Sequence, residues 1–197
     1  QVSASTDGFL GLRSGDRPPA ASSISDRGDV AIVCDGSVVL IDPSGRETTV
    51  PITGIRFLAL SRDGRLLAAA TADRVVIVQT DSGITTAEVT TGGATVTALE
   101  FNGDDSLIGI GSSDGFLTIA ESVGGNEVVA ITAHPERSID GIDLPPHQPD
   151  RAEFGVRTIA FDPTDELVAT GGLNDVRTWS LDDGRLAVCI ADVTGHG

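Results

Sequence analysis

Short apolar runs separated by polar turns recur along the chain about every forty residues, a period typical of repeats that each hold several strands. The clearest runs cover residues 38–41, 75–78, 116–119 and 176–179. A Gly-containing turn follows each run, at Gly45, Gly83, Gly124-Gly125 and Gly184. This pattern predicts an all-β protein in which similar sheets are repeated around an axis.

The second unit shows the expected strands most clearly. Residues 55–60 alternate apolar and polar side chains, as a half-buried strand does, and Asp63-Gly64 marks a tight hairpin turn. Residues 66–70 are almost continuously apolar, which is typical of a strand buried on both faces. Two further strands complete the unit, at 75–78 and 84–89. Each unit is therefore expected to form one antiparallel sheet of four strands.

The last unit carries a resemblance to a known family. It reads Val-Arg-Thr-Ile-Ala-Phe-Asp-Pro over 156–163 and Leu-Val-Ala-Thr-Gly-Gly over 167–172, and it places Trp179 in its third strand. This resembles the WD40 repeat, and the match extends over residues 22–197. The Trp-Asp signature is intact in no unit; its positions hold Ile41-Asp42, Val78-Gln79, Ala120-Glu121 and Trp179-Ser180. The resemblance therefore rests on the strand pattern.

The resemblance implies a β-propeller of about four blades, each with its first strand innermost. The expected blades are 22–52, 53–90, 91–136 and 155–192. The remaining pieces are interpreted as a remnant of a preceding blade (1–21), an inserted loop (137–154) and the start of a further blade (193–197). Closed propellers have four to eight blades, and the family's usual count is seven. An incomplete part of a seven-bladed ring is expected, with a complete four-bladed ring as the alternative.

The resemblance also implies a hydrogen-bonded set of Trp, Ser or Thr, His and Asp that braces a blade. In the last unit His134, Thr170 and Trp179 match this pattern and are expected to have a structural role. The fourth position is open, because Asp175 lies closer to Trp179 than the pattern expects and Asn174 could replace it.

The repeat spacing breaks between His134 and Gly155. Insertions in repeat proteins map to loops on one face, which is often the binding face. Three Pro, at 145, 146 and 149, exclude a helix in this segment. Its apolar and charged side chains favour a protein-contact loop with the candidate residues Arg137, Ile139, Asp140, Ile142, Asp143, His147 and Arg151. A variable surface loop without a partner is the alternative.

Charge and composition narrow the possible partners. The formal net charge is −16, and all thirteen basic residues are Arg. Nucleic acids and anionic membranes need clustered positive charge, so neither is expected as a partner. No apolar run approaches the length of a membrane span, so a soluble chain is expected. Cys34 and Cys189 lie in predicted strands, which favours reduced thiols and a cytoplasmic setting.

The sequence gives little support for catalysis. His134, His147 and His196 lack the spacing of a metal site, and no nucleophile or phosphate-binding motif is complete. No cofactor is expected.

The chain also contains no Met, which favours a processed product or a piece of a longer protein. The favoured hypothesis is a protein-interaction or sensing scaffold without catalysis of its own. The alternative is a small-ligand-binding or hydrolytic propeller with its site at the mouth of the central channel.

Overall fold

A computed structural model describes residues 3–4, 10–11, 21–34, 36–72, 74–134, 155–172 and 175–191. Every regular element among these residues is a β-strand. Strands β1 (Ser3–Ala4) and β2 (Leu10–Gly11) pair with each other. The other strands form four separate antiparallel sheets of four strands each. The predicted all-β class with four-stranded blades is confirmed.

The four sheets follow one another along the chain, and we call them blades 1 to 4. Blade 1 contains β3 (Ser22–Ile24), β4 (Val30–Cys34), β5 (Ser37–Ile41) and β6 (Glu47–Val50). Blade 2 contains β7 (Phe57–Leu60), β8 (Leu66–Ala70), β9 (Arg74–Gln79) and β10 (Thr85–Thr90). Blade 3 contains β11 (Val96–Phe101), β12 (Leu107–Ser112), β13 (Phe116–Glu121) and β14 (Glu127–Thr132). Blade 4 contains β15 (Thr158–Phe161), β16 (Leu167–Gly171), β17 (Asp175–Ser180) and β18 (Leu186–Ala191).

Each blade is a simple meander, in which strands that are consecutive in the chain are neighbours in the sheet. The first strands of successive blades lie side by side, with β3 against β7, β7 against β11, and β11 against β15. The first strands therefore form the inner side of the assembly and the fourth strands its outer side. This is the arrangement of blades in a β-propeller.

The hydrophobic core lies between the blades. Three buried clusters fill the three junctions, and each draws its residues from two successive sheets. At the junction of blades 3 and 4, a Cβ added to Gly111 would lie 2.6 Å from Cγ1 of Val156. Small residues on a second strand therefore let the larger side chains of the next first strand approach closely.

The turn between the first and second strands, which we call the a–b turn, is built alike in each blade. In blades 2, 3 and 4 its first residue accepts the N–H that opens the second strand, as Ser61 Oγ does from Leu66 N at 2.9 Å, whereas Ser25 Oγ of blade 1 accepts Asp29 N at 3.0 Å. Asn102 and Asp162 make the same bond, each at 2.8 Å. The fourth residue of the turn has a positive φ and is Gly28, Gly64, Asp105 or Asp165. Gly tolerates this conformation without strain, and Asp is one of the few other residues that adopt it.

In blades 3 and 4 a carboxylate of this turn binds the turn of the blade before it. Asp105 of blade 3 accepts the N–H groups of Arg62 and Asp63 of blade 2, at 2.8 and 3.0 Å. Asp165 of blade 4 accepts Gly103 N at 3.2 Å and Asn102 Nδ2 at 3.0 Å in blade 3. We call this contact the carboxylate latch. It joins successive blades at the end of the inner strands.

The structure shifts some strand limits relative to the sequence prediction. The first strand of blade 2 begins at Phe57 and not at Ile55, although Arg56 N still donates to Ala70 O at 2.8 Å. The inserted loop predicted at 137–154 and the further blade predicted from 193 lie outside the described residues. Of the predicted remnant 1–21, β1, β2 and Ala21 are described. A seven-bladed ring stays a prediction.

Candidate functional site

A chain of hydrogen bonds joins blade 3 to the second and third strands of blade 4. Trp179 Nε1 donates to Thr170 Oγ1 at 2.9 Å, and Thr170 Oγ1 lies 2.9 Å from His134 Nε2. The other ring nitrogen of His134, Nδ1, lies 2.9 Å from Asp175 Oδ1. The structure thus brings together the three residues expected to have a structural role. Asp175 takes the fourth position, and Asn174 lies outside the described residues.

The protonation state of His134 follows from its burial and from its partners. Burial lowers the pKa of His134, and the nearby Arg177 acts in the same direction, while Asp175 opposes them. The ring is therefore neutral at pH 7. Because Trp179 uses one lone pair of the Thr170 oxygen, the Thr170 hydroxyl is free to donate to Nε2. Nδ1 then carries the proton and donates to the Asp175 carboxylate.

Arg177 extends this set of bonds beyond the four residues. Its Nε donates to Asp175 Oδ2 at 2.8 Å, and its Nη1 donates to Ala133 O at 2.6 Å. Asp175 is therefore held by a cation on one oxygen and by His134 on the other. The sequence pattern did not point to Arg177, because its spacing matches no family position. This cluster is a brace between blades, and each of its buried polar side-chain atoms has a hydrogen-bond partner.

The seven candidate partner-binding residues, Arg137 to Arg151, lie outside the described residues, but both ends of their segment are described. His134 N donates to Gly115 O at 2.9 Å, and Val156 N donates to Ser112 O at 3.2 Å. Gly155 also lies against the backbone of Ser113. The segment therefore leaves and rejoins the fold at one place, the turn between the second and third strands of blade 3.

A groove of about 750 Å³ crosses the opposite side of blades 1, 2 and 3, where the a–b turns lie. Its walls mix charges of both signs; the lining includes Arg27, Asp42, Arg65, Asp81 and Asp104. Within it, Arg27 pairs with Asp29 at 3.6 Å and Arg65 with Asp63 at 3.5 Å. These pairs are exposed, so each contributes little to stability.

A second groove, of about 550 Å³, lies along the inner strands of all four blades. Asp26, Arg62, Glu100 and Asp162 bring charge to a lining that is otherwise largely apolar. Arg62 Nε donates to Asp26 Oδ2 at 3.0 Å. Glu100 is exposed, yet partial desolvation raises its pKa, and Arg62 offsets part of this effect. Nothing in the sequence pattern singles out Glu100, because its charged neighbour Arg62 belongs to another blade.

The described residues contain neither a metal-binding cluster nor a membrane-spanning helix. No three His, Cys, Asp or Glu side chains there come close enough together to hold a metal ion. The same residues include no helix long and apolar enough to cross a membrane.

Comparison with known proteins supports the fold. No protein-family model and no curated protein matches the chain. Among solved structures, hydrazine synthase from Kuenenia stuttgartiensis, a β-propeller, is similar with a TM-score of 0.67 and 16 % sequence identity. The match covers 91 % of this chain and 51 % of that one, so the chain spans about half the neighbour's length. At this identity the likeness shows that the chain has a β-propeller fold, and it carries no information on activity.

Proposed function

We propose that the chain is a WD40-type propeller segment that serves as a protein-interaction or sensing scaffold and has no catalysis of its own. One observation carries the proposal. The polar side-chain atoms of His134, Thr170 and Trp179 are all hydrogen-bonded within one brace. None of these atoms is left to bind another molecule. Such a brace stabilises a blade and offers nothing to a substrate.

The two anchors of segment 135–154 support a binding role for it. His134 and Val156 are both tied to the turn that begins at Ser112, so the ends of the segment are fixed close together. Binding residues often lie on loops that a rigid scaffold positions. A rigid base also lowers the entropy that the loop loses when a partner binds.

Affinity capture with the loop shortened tests the proposal. Residues 137–154 are replaced by a short Gly-Ser linker, and proteins retained by each chain after crosslinking are compared. We expect the replacement to remove one defined partner that the unaltered chain retains. A matched control, Val123→Ser in an exposed turn on the other side of the propeller, should retain it. Capture of the same partner by the shortened chain would contradict the loop assignment.

A small-ligand or hydrolytic site is the second candidate. The inner groove favours it, because Glu100 has a raised pKa and stands near Arg62 on a concave surface that also carries apolar side chains. Concave sites with few polar groups are typical of ligand binding. Thermal-shift screening of small metabolites against the chain and its Glu100→Gln variant tests this idea. If no compound distinguishes the two chains, the second candidate is removed.

We also propose a cytoplasmic setting and a partner that is a protein and not nucleic acid. Cys34 and Cys189 are both free thiols, as a reducing compartment would maintain them. The net charge of −16 opposes phosphate binding. Thiol labelling of the native protein in freshly lysed cells, without reductant, checks the first point, and blocked thiols would oppose it.

A further inference from the structure

Asn102 and Gly103 open the a–b turn of blade 3, and they are the one Asn-Gly pair in the sequence. Such a pair is chemically unstable, because the backbone nitrogen of the Gly attacks Cγ of the Asn side chain. Gly has no Cβ to obstruct this approach, and Asn is among the thermolabile residues of proteins. The pair is therefore a candidate site of spontaneous modification.

The reaction at this pair needs no reagent other than water. The bond between Gly103 N and Asn102 Cγ forms and the bond between Cγ and Nδ2 breaks. The amide nitrogen leaves as ammonia, which carries away the proton of the Gly103 N–H. Water then opens the resulting five-membered imide at either carbonyl. The product is an aspartate, or an isoaspartate in which the main chain passes through the former side-chain carbon.

Both reacting groups are hydrogen-bonded to Asp165 of blade 4. Gly103 N donates to Asp165 Oδ1 at 3.2 Å, and Asn102 Nδ2 donates to Asp165 Oδ2 at 3.0 Å. One carboxylate of the carboxylate latch thus binds the attacking nitrogen and the leaving nitrogen at the same time. The chemistry of this pair is therefore linked to the junction of blades 3 and 4.

Asn102 is also fixed within its own turn, where it is only 1 % exposed. Its Oδ1 accepts Leu107 N at 2.8 Å, and its Nδ2 donates to Asp104 Oδ1 at 2.8 Å. Rotation of the side-chain amide breaks the first bond, and loss of Nδ2 as ammonia breaks the second. The reaction therefore requires a local opening of the turn and of its contact with Asp165.

Blade 4 shows why the amide is needed in blade 3. The equivalent first turn residue there is Asp162, whose carboxylate accepts Leu167 N at 2.8 Å. In blade 3 the carboxylates of Asp104 and Asp165 both contact the side-chain nitrogen of Asn102. An acid at position 102 would place a third carboxylate beside them, and like charges disfavour one another. The turn thus depends on an amide donor that the following Gly makes reactive.

We propose that Asn102-Gly103 is a deamidation site, which the Asp165 carboxylate protects as long as blades 3 and 4 are joined. Opening of the junction frees the pair to react. The product has an anion in place of the amide donor, so the original contact with Asp165 cannot form again. Deamidation is therefore an irreversible mark left by opening of the junction. The inference does not depend on the proposed scaffold role.

Peptide mapping by mass spectrometry tests the proposal on the 197-residue chain, incubated at mildly alkaline pH. Asn102 should deamidate much more slowly in the folded chain than in urea. Asp165→Gly keeps the positive φ of 58° without strain, and circular dichroism checks that it stays folded. It should deamidate roughly tenfold faster than the unaltered chain, because losing a charge-assisted hydrogen bond raises the fraction of open junctions.

Asp183→Gly is the matched control, since it makes the same substitution in an exposed turn of the same blade. It should deamidate at the rate of the unaltered chain. Equal rates in the folded chain and in urea, or an unchanged rate in Asp165→Gly, would overturn the proposal. A slower reaction in Asp165→Gly would also overturn it, because Asp165 would then be the base that takes the Gly103 proton.

A second set of variants tests the effect of the modification on the junction. Asn102→Asp copies one product and should lower the urea midpoint of the chain. Adding Asp165→Asn exchanges donor and acceptor across the junction, and Asn tolerates the positive φ at position 165. The double variant should therefore regain part of the lost stability. Absence of this rescue would contradict the claim that deamidation acts through the contact with Asp165.

Discussion

Asp105 and Arg62 belong to different blades, yet the carboxylate of Asp105 accepts the backbone N–H of Arg62 at 2.8 Å. Its second oxygen accepts the N–H of Asp63 at 3.0 Å. Hydrogen bonds to an ionised acceptor are stronger than neutral ones. One side chain therefore fixes the position of blade 3 relative to the turn of blade 2.

Removing this latch should weaken the junction of blades 2 and 3. Because hydrogen bonds to charged groups contribute about 1.5–3 kcal/mol each, Asp105→Gly should lower the free energy of unfolding by about 2–3 kcal/mol. Gly keeps the positive φ of 64° without strain, so the loss reports the carboxylate. Urea unfolding followed by Trp179 fluorescence measures the change.

Two further variants control this experiment. Asp105→Asn retains one acceptor oxygen and tolerates the same backbone conformation, so it should lose less than Asp105→Gly. Asp81→Gly, in an exposed turn of blade 2, should change stability by less than about 0.5 kcal/mol. Equal losses at positions 81 and 105 would mean that the latch contributes nothing.

Thr170→Val should break the brace of blade 4. The hydroxyl bridges Trp179 and His134, and its removal leaves two buried polar groups without their partner. An unsatisfied buried group costs about 1–3 kcal/mol, so we expect a loss of roughly 2–4 kcal/mol. Because Trp179 is the only Trp, its emission should also change.

A double-mutant cycle tests whether these bonds are coupled. Trp179→Phe should cost less stability in the Thr170→Val background than alone. Additive losses would show that the bonds are not coupled.

Stability should fall as the pH drops below about 6.5, the ordinary pKa of histidine. Burial lowers the pKa of His134 in the folded state, so the unfolded chain binds more protons in this range. The stabilisation is complete above the unfolded pKa and is lost as the pH falls toward the folded one. Urea midpoints between pH 5.5 and 7.5 should slope downward for the native chain and less for His134→Gln. Parallel slopes would exclude His134 as the cause.

Gly111→Ala should overfill the junction of blades 3 and 4. Its Cβ would lie 2.6 Å from Cγ1 of Val156, and overpacking of this kind costs about 1–3 kcal/mol. Val156→Ala should restore part of the stability in the double variant, because it removes the contact with Cγ1 but keeps the Cβ of residue 156, which would lie 2.8 Å from the added methyl group. Gly103→Ala is the control, since its nearest contact would be an ordinary 3.6 Å. Failure of Val156→Ala to compensate would argue against the close approach.

The sequence predicts the sheets well because their information is local. Asp63-Gly64 marks the hairpin of blade 2, and the apolar run 66–70 coincides with β8. The start of β7 was harder to predict, because Ile55 and Arg56 continue the alternating pattern before the first residue of the strand. Strand number and order could therefore be predicted, and strand ends less well.

Contacts between blades were less predictable. The resemblance points to His134, Thr170 and Trp179. The choice between Asp175 and Asn174 depends on the folded structure, in which Asp175 contacts His134. Asp105 and Asp165 have the sequence context of ordinary turn residues. Most of their partners are backbone N–H groups some forty to sixty residues away in sequence. Because almost every residue type carries a backbone N–H, the sequence does not indicate which of them is bound. Local chemistry explains why Asp suits a turn, and only the fold shows what its carboxylate binds.

The fourth position of the a–b turn is Gly in blades 1 and 2 and Asp in blades 3 and 4, always with a positive φ. Codons for Gly and Asp can differ by a single base. A point mutation can thus add or remove a tie between neighbouring blades while the hairpin keeps its shape. In a lineage that gains or loses repeats, this offers a simple route by which a newly duplicated blade becomes fastened to its neighbour.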